Sequence, residues 1–250
     1  MPLPGWTLVV VQGRHAERFL NSQLTSNLAD LAPGTSQLTA LLDRSGRLQA
    51  FGFLCRCRDR VELLLPSEIA ASTVRRLEQH VIADDVGFEV VEPPDMRLAL
   101  GAEAVRRATR DRSDQRFPIE ILASRGFVTW GDDELDLPVI AHHELETRRM
   151  LTGLPRWGEE VSEGVLIHET TLFETAVSAD KGCFLGQETV AKVASGRGAA
   201  RAPMLLEVLS GSTDGAALIG REFSTDIAQR SGTVLSSARW DGAVFLQASV

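Results

Sequence analysis

The amino-acid sequence predicts an α+β protein in which helices and antiparallel strands follow one another along the chain. Between positions 13 and 31, apolar residues recur at three- and four-residue spacing, which is typical of an amphipathic helix. Between 61 and 130, stretches of β-prone residues alternate with helical patterns. Beyond 201 the apolar runs are short and are separated by glycine and serine, which indicates a small antiparallel sheet or barrel.

The first elements are a helix and a hairpin. Phe19, Leu20, Leu24 and Leu28 mark one face of the predicted helix, and Pro33 with Gly34 ends it. The runs SQLTALLD and RLQAFGFL then flank a short turn that contains glycine, which predicts a β-hairpin.

The middle of the chain has the order strand, helix, strand, strand, helix, strand. VELLL is followed by a helical pattern from Ser67 to Val81, by VGFEVV and MRLAL, by the helix AEAVRRAT, and by a strand near FVTW. This order resembles a ferredoxin-like βαββαβ sandwich. Ser67 is the predicted N-cap of the first helix, because its hydroxyl can accept from a first-turn amide.

The last third predicts one more helix and then strands. HHELETRRML has a helical pattern that ends before Gly153 and Pro155, the usual stop signals. After it, PMLLEVL, GTVLSS and AVFLQASV predict the strands of a small C-terminal antiparallel barrel.

Composition limits the classes of function. A chain of 250 residues with 44% hydrophobic content can bury a sizeable core, and its net charge of −8 argues against a dedicated nucleic-acid binder. No leader or membrane-length apolar run is recognisable, so we expect a cytoplasmic protein. An odd number of cysteines, Cys55, Cys57 and Cys183, favours reduced thiols over a disulfide framework.

The octapeptide KGCFLGQE at 181–188 is the strongest chemical signal. The segment 181–201 holds four cations and one carboxylate, although the whole chain is acidic. Nearby cations favour the thiolate, so Lys181 is a candidate activator of Cys183. A buried cysteine that packs as a small hydrophobe explains the spacing equally well.

Other candidates are weaker. Arg149, Arg197 and Arg201 could form a cluster that binds carboxylates, although the glycine-flanked Arg197 also suits a solvated turn. Cys55 and Cys57 share one face of a predicted strand, but three thiols are too few for a fully cysteine-ligated iron–sulfur cluster. We therefore expect core or surface thiols there and no resident metal.

The octapeptide closely resembles the signature of the YgfZ-type folate-binding family, which is related to the glycine cleavage T-protein. The resemblance extends to the stretch Gly13–Asn27, to LLDRSGRL at 41–48 and to the run Arg149–Gly158. It therefore spans nearly the whole chain.

The resemblance implies an architecture of three domains. A discontinuous T-protein-like folate-binding domain comprises 1–46 and 131–200, a ferredoxin-like domain comprises 47–130, and a C-terminal β-barrel comprises 201–250. Our pattern-based interpretation of the second and third segments agrees with this division.

The resemblance also implies a function. Members of the family are similar to tetrahydrofolate-dependent helpers in the assembly or repair of iron–sulfur enzymes, including enzymes that modify transfer RNA. The expected partners are iron–sulfur client enzymes or assembly proteins, with no direct nucleic-acid or membrane contact. The residues carried over are Cys183 and Lys181 as reactive groups, and, around tetrahydrofolate, Arg149, Gly182, Phe184, Gln187, Glu188 and Arg201.

Two departures from related sequences matter. The family usually has tyrosine after the cysteine, where this chain has Phe184 and no tyrosine anywhere. True T-proteins carry a catalytic aspartate near the positions of Gln49 and Ala50, and a glutamate where this chain has Leu151. An accessory role therefore fits better than aminomethyl transfer. Two alternatives stay open: a folate-dependent one-carbon transferase or demethylase that uses Cys183, and a non-catalytic interaction scaffold.

Overall fold

The computed structural model describes residues 5–92, 95–110, 116–121, 124–130, 137–196, 198–209, 214–224 and 230–250. The strands in these ranges are β1 Trp6–Gln12, β2 Thr35–Leu42, β3 Leu48–Arg56, β4 Val61–Pro66, β5 Gly87–Val91, β6 Arg97–Leu100, β7 Arg116–Ile121, β8 Ser124–Thr129, β9 Pro203–Val208, β10 Glu222–Ser224, β11 Ser231–Trp240 and β12 Ala243–Ser249. The helices are α1 Ala16–Gln23, α2 Ser67–Glu78, α3 Ala102–Arg110, α4 His142–Leu151, α5 Leu172–Ala176 and α6 Gln187–Ser195. All strand pairs are antiparallel, so the predicted α+β class is confirmed.

The central element is a five-stranded sheet of order β2-β3-β4-β1-β5. Its inner strands β3 and β4 are buried on both faces, because helices cover one face and a second sheet covers the other. Leu54 and Leu63 pack on the helical side with Leu20 and Leu77, whereas Phe53 belongs to the core on the opposite side.

The second sheet has the order β6-β8-β7 and packs through β7 against β2 and β3. Phe117 of β7 is fully buried in the core that also contains Phe51 and Phe53. Two aromatic side chains of β3 thus fill the space between the sheets.

The strands assigned to a ferredoxin-like unit at 47–130 are divided between these two sheets. β3, β4 and β5 pair with β1 and β2, and β6, β7 and β8 form the separate sheet. The predicted boundary between 46 and 47 falls inside the β2–β3 hairpin, where the Asp43 carboxylate accepts from the amides of Ser45 and Arg47 at 2.8 and 3.0 Å. The physical reason is that β3 and β4, buried on both faces, need hydrogen-bonded neighbours on both edges.

Helix α1 is shorter than its periodicity predicts. It ends at Gln23, yet Leu24, Leu28 and Leu31 remain buried in the same core as the helix. The apolar spacing therefore extends beyond the helix into residues 24–31, which form a buried connection that is not helical.

The predicted start of α2 is wrong by one residue, whereas the predicted end of α4 is confirmed. Ser67 is the first residue of α2 and not its N-cap, which is Pro66, and the Ser67 hydroxyl accepts a hydrogen bond of 2.7 Å from Thr7 Oγ1. Helix α4 ends at Leu151 as predicted, just before Gly153, which has a positive φ of 74°.

The C-terminal strands form a sheet of order β10-β11-β12-β9. This order agrees with the predicted antiparallel sheet, but the closed barrel is not confirmed. The sheet packs on α4, whose Thr147 hydroxyl donates to the carbonyl of Arg239 at 3.1 Å. Among the described residues, no helix combines the length and apolarity required to cross a bilayer.

Candidate functional site

Lys181 fixes the start of the octapeptide to the end of helix α1. Its Nζ donates to the carbonyl oxygens of Asn21, Leu24 and Ser26 at 2.6, 2.6 and 2.7 Å. Burial lowers the pKa of the Lys181 ammonium to about 8, so the group stays largely protonated at neutral pH. Its three donors meet three acceptors.

This position differs from the predicted one, in which Lys181 stabilises a Cys183 thiolate. The side chain of Lys181 is buried, whereas Cys183 is exposed. Because the ammonium is fully engaged by backbone carbonyls, Lys181 acts in this structure as an anchor of the loop.

Phe184 and Gly186 hold the other end of the loop. Phe184 packs in the main core and places its ring centroid 5.3 Å from Nζ of Lys181, which is within cation–π range. Gly186 has a positive φ of 84° and lies so close to β2 that an added Cβ would stand 2.4 Å from the carbonyl oxygen of Asp43. The amide of Leu185 donates to the carbonyl of Ser22 at 3.1 Å.

Between these anchors, Gly182 and Cys183 lie at the surface. Gln187, half-buried, and Glu188, exposed, form the first turn of α6. The structure therefore presents the Cys183 thiol to solvent on a loop that is fixed at both ends.

A separate cavity of about 540 Å³ lies where β1, β4, α2 and α4 meet. Its apolar wall contains Trp6, Phe51 and Trp157, with the rings of Phe51 and Trp157 tilted by 32° at a centroid distance of 6.2 Å. Of the eight predicted site residues, Arg149 lines this cavity. Residues 181–188 are absent from its described lining.

The polar wall of the cavity carries charges of both signs. Glu68 lies in the first turn of α2 and has no hydrogen-bond partner within the described residues. Glu146 of α4 accepts from Nε of Arg149 at 2.9 Å and also from Arg156. The cavity therefore combines a flat apolar surface with a carboxylate that has no partner among the described residues. This combination suits a planar ligand that carries hydrogen-bond donors.

Arg149 is held by a buried ion pair. Its two terminal nitrogens donate to the two oxygens of Glu160 at 2.9 and 3.0 Å, and Ser236 of β11 donates to Glu160 at 2.5 Å. This bidentate pairing leaves Arg149 little capacity for a ligand carboxylate, in contrast to its predicted place in a carboxylate-binding cluster.

Arg201 does not join Arg149. It is exposed and lines a different cavity of about 190 Å³, which is bordered by Glu160 and Gln247. Arg197, the third arginine of the predicted carboxylate-binding cluster, lies outside the described residues. The predicted clamp of guanidinium groups is therefore not assembled by Arg149 and Arg201.

Sequence reasoning missed the aromatic wall and Glu68. Trp6, Phe51 and Trp157 are far apart in sequence and carry no motif, so only the folded sheet brings them together. Trp6 and Trp157 each stand beside a glycine, Gly5 and Gly158, but this local pattern does not predict a shared cavity.

Comparison with solved structures identifies the fold. The crystal structure of the glycine cleavage system aminomethyltransferase T from Bartonella henselae aligns with a TM-score of 0.73, covering 100% of this chain and 77% of that chain at 16% identity. The chain is therefore a mixed α/β protein with the T-protein fold.

Sequence relatives are more specific. An uncharacterized protein of Haemophilus influenzae is 29% identical over 98% of this chain and 86% of its own length. The tRNA-modifying protein YgfZ of Edwardsiella ictaluri is 28% identical and that of Escherichia coli K12 is 24% identical, each over 99% of this chain and 83% of the relative. No family model matches the chain. The chain is therefore similar to YgfZ-type proteins along almost its whole length, and it shares the fold of the T-protein.

Proposed function

We propose that this protein binds a reduced folate in the aromatic cavity and acts as an accessory factor in iron–sulfur cluster assembly or repair. The observation that carries the proposal is the cavity of about 540 Å³, lined by Trp6, Phe51 and Trp157 on one side and by carboxylates on the other. The T-protein fold and the YgfZ relatives support the choice of ligand.

The chemistry of a pterin matches this lining. A pterin is flat, so the indole of Trp157 can stack on its face, and aromatic pairs of this kind contribute about 0.5–1.5 kcal/mol beyond the buried area. Its 2-amino group and adjacent ring N–H form a fork of donors, which a carboxylate accepts in two parallel hydrogen bonds. Glu68 is our candidate for this acceptor, because it has no partner among the described residues.

The acidic tail of the folate needs a cation that solvent can reach. Arg156 borders the cavity with 38% of its side chain exposed, compared with 12% for Arg149. We therefore assign the tail to the side of Arg156. Arg156 pairs with Glu146 and Glu159 where solvent reaches its side chain, so a ligand carboxylate can replace one of them at little cost. The buried Arg149, by contrast, is held by both oxygens of Glu160. This assignment replaces the earlier expectation for Arg149.

Binding can be tested by calorimetric titration with tetrahydrofolate under reducing conditions. We expect Trp157→Leu to weaken binding by about tenfold, since a stacking partner is lost. Glu68→Gln should weaken it as well, whereas Glu78→Gln, a likewise exposed glutamate of α2 that is absent from the described lining of the cavity, should not. Absence of both binding heat and any shift in melting temperature for the wild-type protein would contradict the proposal and favour the interaction scaffold.

The iron–sulfur role depends on Cys183. An exposed thiol on a loop anchored at both ends can meet a protein partner without reorganising the core. In a strain that lacks its own homologue, we expect Cys183→Ser to fail to restore iron–sulfur enzyme activity. The same variant should keep its affinity for tetrahydrofolate, because Cys183 is absent from the described lining of the cavity. Full restoration by Cys183→Ser would overturn the assignment of the thiol.

Aminomethyl transfer is not part of this proposal. Position 50 is a buried alanine, and position 49 is a glutamine whose side-chain amide donates to the carbonyl of Leu48 at 3.2 Å. Neither residue supplies a carboxylate. We expect no methylene-tetrahydrofolate when the protein is incubated with tetrahydrofolate and methylated amines. We assign the function to the cytoplasm, where the three free cysteines stay reduced.

A further inference from the structure

Three potential metal ligands meet at the β3–β4 hairpin, away from the octapeptide. Cys55 lies near the end of β3 and Cys57 directly follows the strand, and their sulfur atoms approach each other. Glu62 of β4 is the direct cross-strand partner of Cys55. The turn that joins the strands is closed by the amide of Cys57, which donates to the carbonyl of Arg60 at 3.0 Å.

The spacing of these ligand atoms fits a tetrahedral ion. The sulfur atoms of Cys55 and Cys57 are 3.9 Å apart, and one carboxylate oxygen of Glu62 lies within 4.8 Å of both. Two sulfurs each about 2.3 Å from a tetrahedral Zn²⁺ are about 3.8 Å apart. The two thiols therefore already stand at the separation that a zinc ion imposes.

Charge and burial also favour a cation. Cys55 and Glu62 are almost fully buried, while Cys57 is partly exposed. Two thiolates and one carboxylate carry three negative charges, which a divalent ion and the guanidinium of Arg60 together balance. Arg60 donates from Nε to Glu62 at 2.7 Å, and the carboxylate keeps further lone pairs for an ion.

We propose that Cys55, Cys57 and Glu62 bind one Zn²⁺-class ion, with a water molecule as fourth ligand on the exposed side of Cys57. Binding releases the two thiol protons to solvent as the two sulfur–metal bonds form. The site ties β3 to β4 beside the turn that joins the two strands. It is independent of the folate cavity, whose described lining contains none of the three ligands.

A disulfide is the competing arrangement of the same two thiols. In an extended strand, residues two apart have Cα atoms about 6.6 Å apart, near the upper limit for a disulfide. Closing the bond would also bring the sulfurs from 3.9 Å to about 2.0 Å and distort the ladder on which β3 depends. An ion needs no such movement.

Zinc retention tests the proposal directly. The reduced full-length chain, stripped with a chelator, is incubated with Zn²⁺, desalted and assayed for bound metal, and its affinity is measured by competition with a chromophoric chelator. We expect one zinc per chain and, in Cys57→Ser and Glu62→Gln, affinity weaker by on the order of a hundredfold, since even outer-shell changes cost 10–100-fold. Cys183→Ser is the matched control and should bind as the wild type does.

Cobalt gives a second measurement that does not depend on stoichiometry. The Co²⁺-loaded wild type and Cys183→Ser should show a thiolate-to-metal charge-transfer band in the near ultraviolet, and Cys57→Ser should lose intensity. The proposal is overturned if the wild-type chain retains no zinc, if Cys57→Ser binds zinc as tightly as the wild type, or if Cys183→Ser abolishes binding.

Discussion

The choice of lysine at position 181 has a geometric reason. The chain has 26 basic side chains, of which Lys181 and Lys192 are the two lysines. An ammonium is a compact group with three donors, whereas a guanidinium is a planar fork that suits carboxylates. Carbonyls at the end of α1 surround Nζ of Lys181 at 2.6–2.7 Å, a setting that the wider arginine head cannot fill.

We predict that Lys181→Met destabilises the protein by about 3 kcal/mol. The methionine fills much of the same space but leaves three carbonyls without their donor, and each unsatisfied buried polar group costs about 1–3 kcal/mol. The measurement is urea unfolding followed by circular dichroism. Lys192→Met, at an exposed position of α6, is the control and should stay within about 0.5 kcal/mol of the wild type. A loss below about 1 kcal/mol for Lys181→Met would show that the carbonyls find water instead.

A second prediction concerns Gly186. Its positive φ is unfavourable for other residues, and an added Cβ would lie 2.4 Å from the carbonyl oxygen of Asp43, which is backbone and cannot rotate away. Gly186→Ala should therefore lower the free energy of unfolding by about 2 kcal/mol or more. Gly182→Ala in the same loop has open space around the new methyl group and should be nearly neutral. Equal melting temperatures for the two variants would contradict this account of the loop.

The sequence directed attention to the octapeptide but did not predict the orientation of its side chains. Lys181 and Cys183 are two positions apart, yet one is buried and the other exposed, because the partners of Lys181 come from residues 21–26. Charge counting along the chain cannot see such partners. The cysteines of β3 show the converse, since Glu62 joins them through strand pairing that no local motif reveals.

At the scale of elements, the buried pair of Arg149 and Glu160 connects three parts of the fold. Arg149 belongs to α4, Glu160 to the following loop, and Ser236 to β11 of the C-terminal sheet. Glu160 also accepts from the amide of Arg156 at 2.5 Å. One carboxylate thus orients the loop that carries Trp157 into the aromatic cavity.

We predict that Glu160→Gln destabilises the protein by about 3–5 kcal/mol, because it leaves the Arg149 charge buried without its partner. The double variant with Arg149→Met should recover part of this loss. Glu159→Gln, which breaks only a solvent-exposed pair with Arg156, should cost less than about 1 kcal/mol. Urea unfolding of the wild type, Glu160→Gln, Arg149→Met and the double variant gives the coupling energy, and additive single effects would show that Arg149 and Glu160 do not depend on each other.

Periodicity predicted the existence of helices better than their ends. The pattern from 13 to 31 continued past the end of α1 because Leu28 and Leu31 fill the same core from a loop. The aromatic cavity could not be predicted, since Trp6 belongs to a strand and Trp157 to a loop about 150 residues further along the chain. Burial patterns report which residues are inside, and they do not report which elements are neighbours.

At the scale of the whole molecule, strand pairing joins segments that the sequence separates. β1 lies between β4 and β5, and β2 pairs with β3, so the central sheet combines residues on both sides of position 46. The α+β class followed from the alternation of patterns, but a helix flanked by strands is compatible with several sheet orders. Only the long-range hydrogen bonds of β1 decide between them.

This pairing predicts how an isolated segment 47–130 behaves. The fragment would keep β3 and β4 but lose their neighbours β2 and β1. This loss would expose the outer edges of both strands, together with residues that are fully buried in the intact chain, such as Leu54 and Leu63. We therefore expect no cooperative thermal transition and little dispersion of amide proton shifts, while the full-length chain unfolds cooperatively under the same conditions. If the fragment melts cooperatively as a monomer, 47–130 is an autonomous ferredoxin-like domain. The five-stranded sheet would then be an assembly of two folding units, because a unit that folds alone must satisfy its own strand edges.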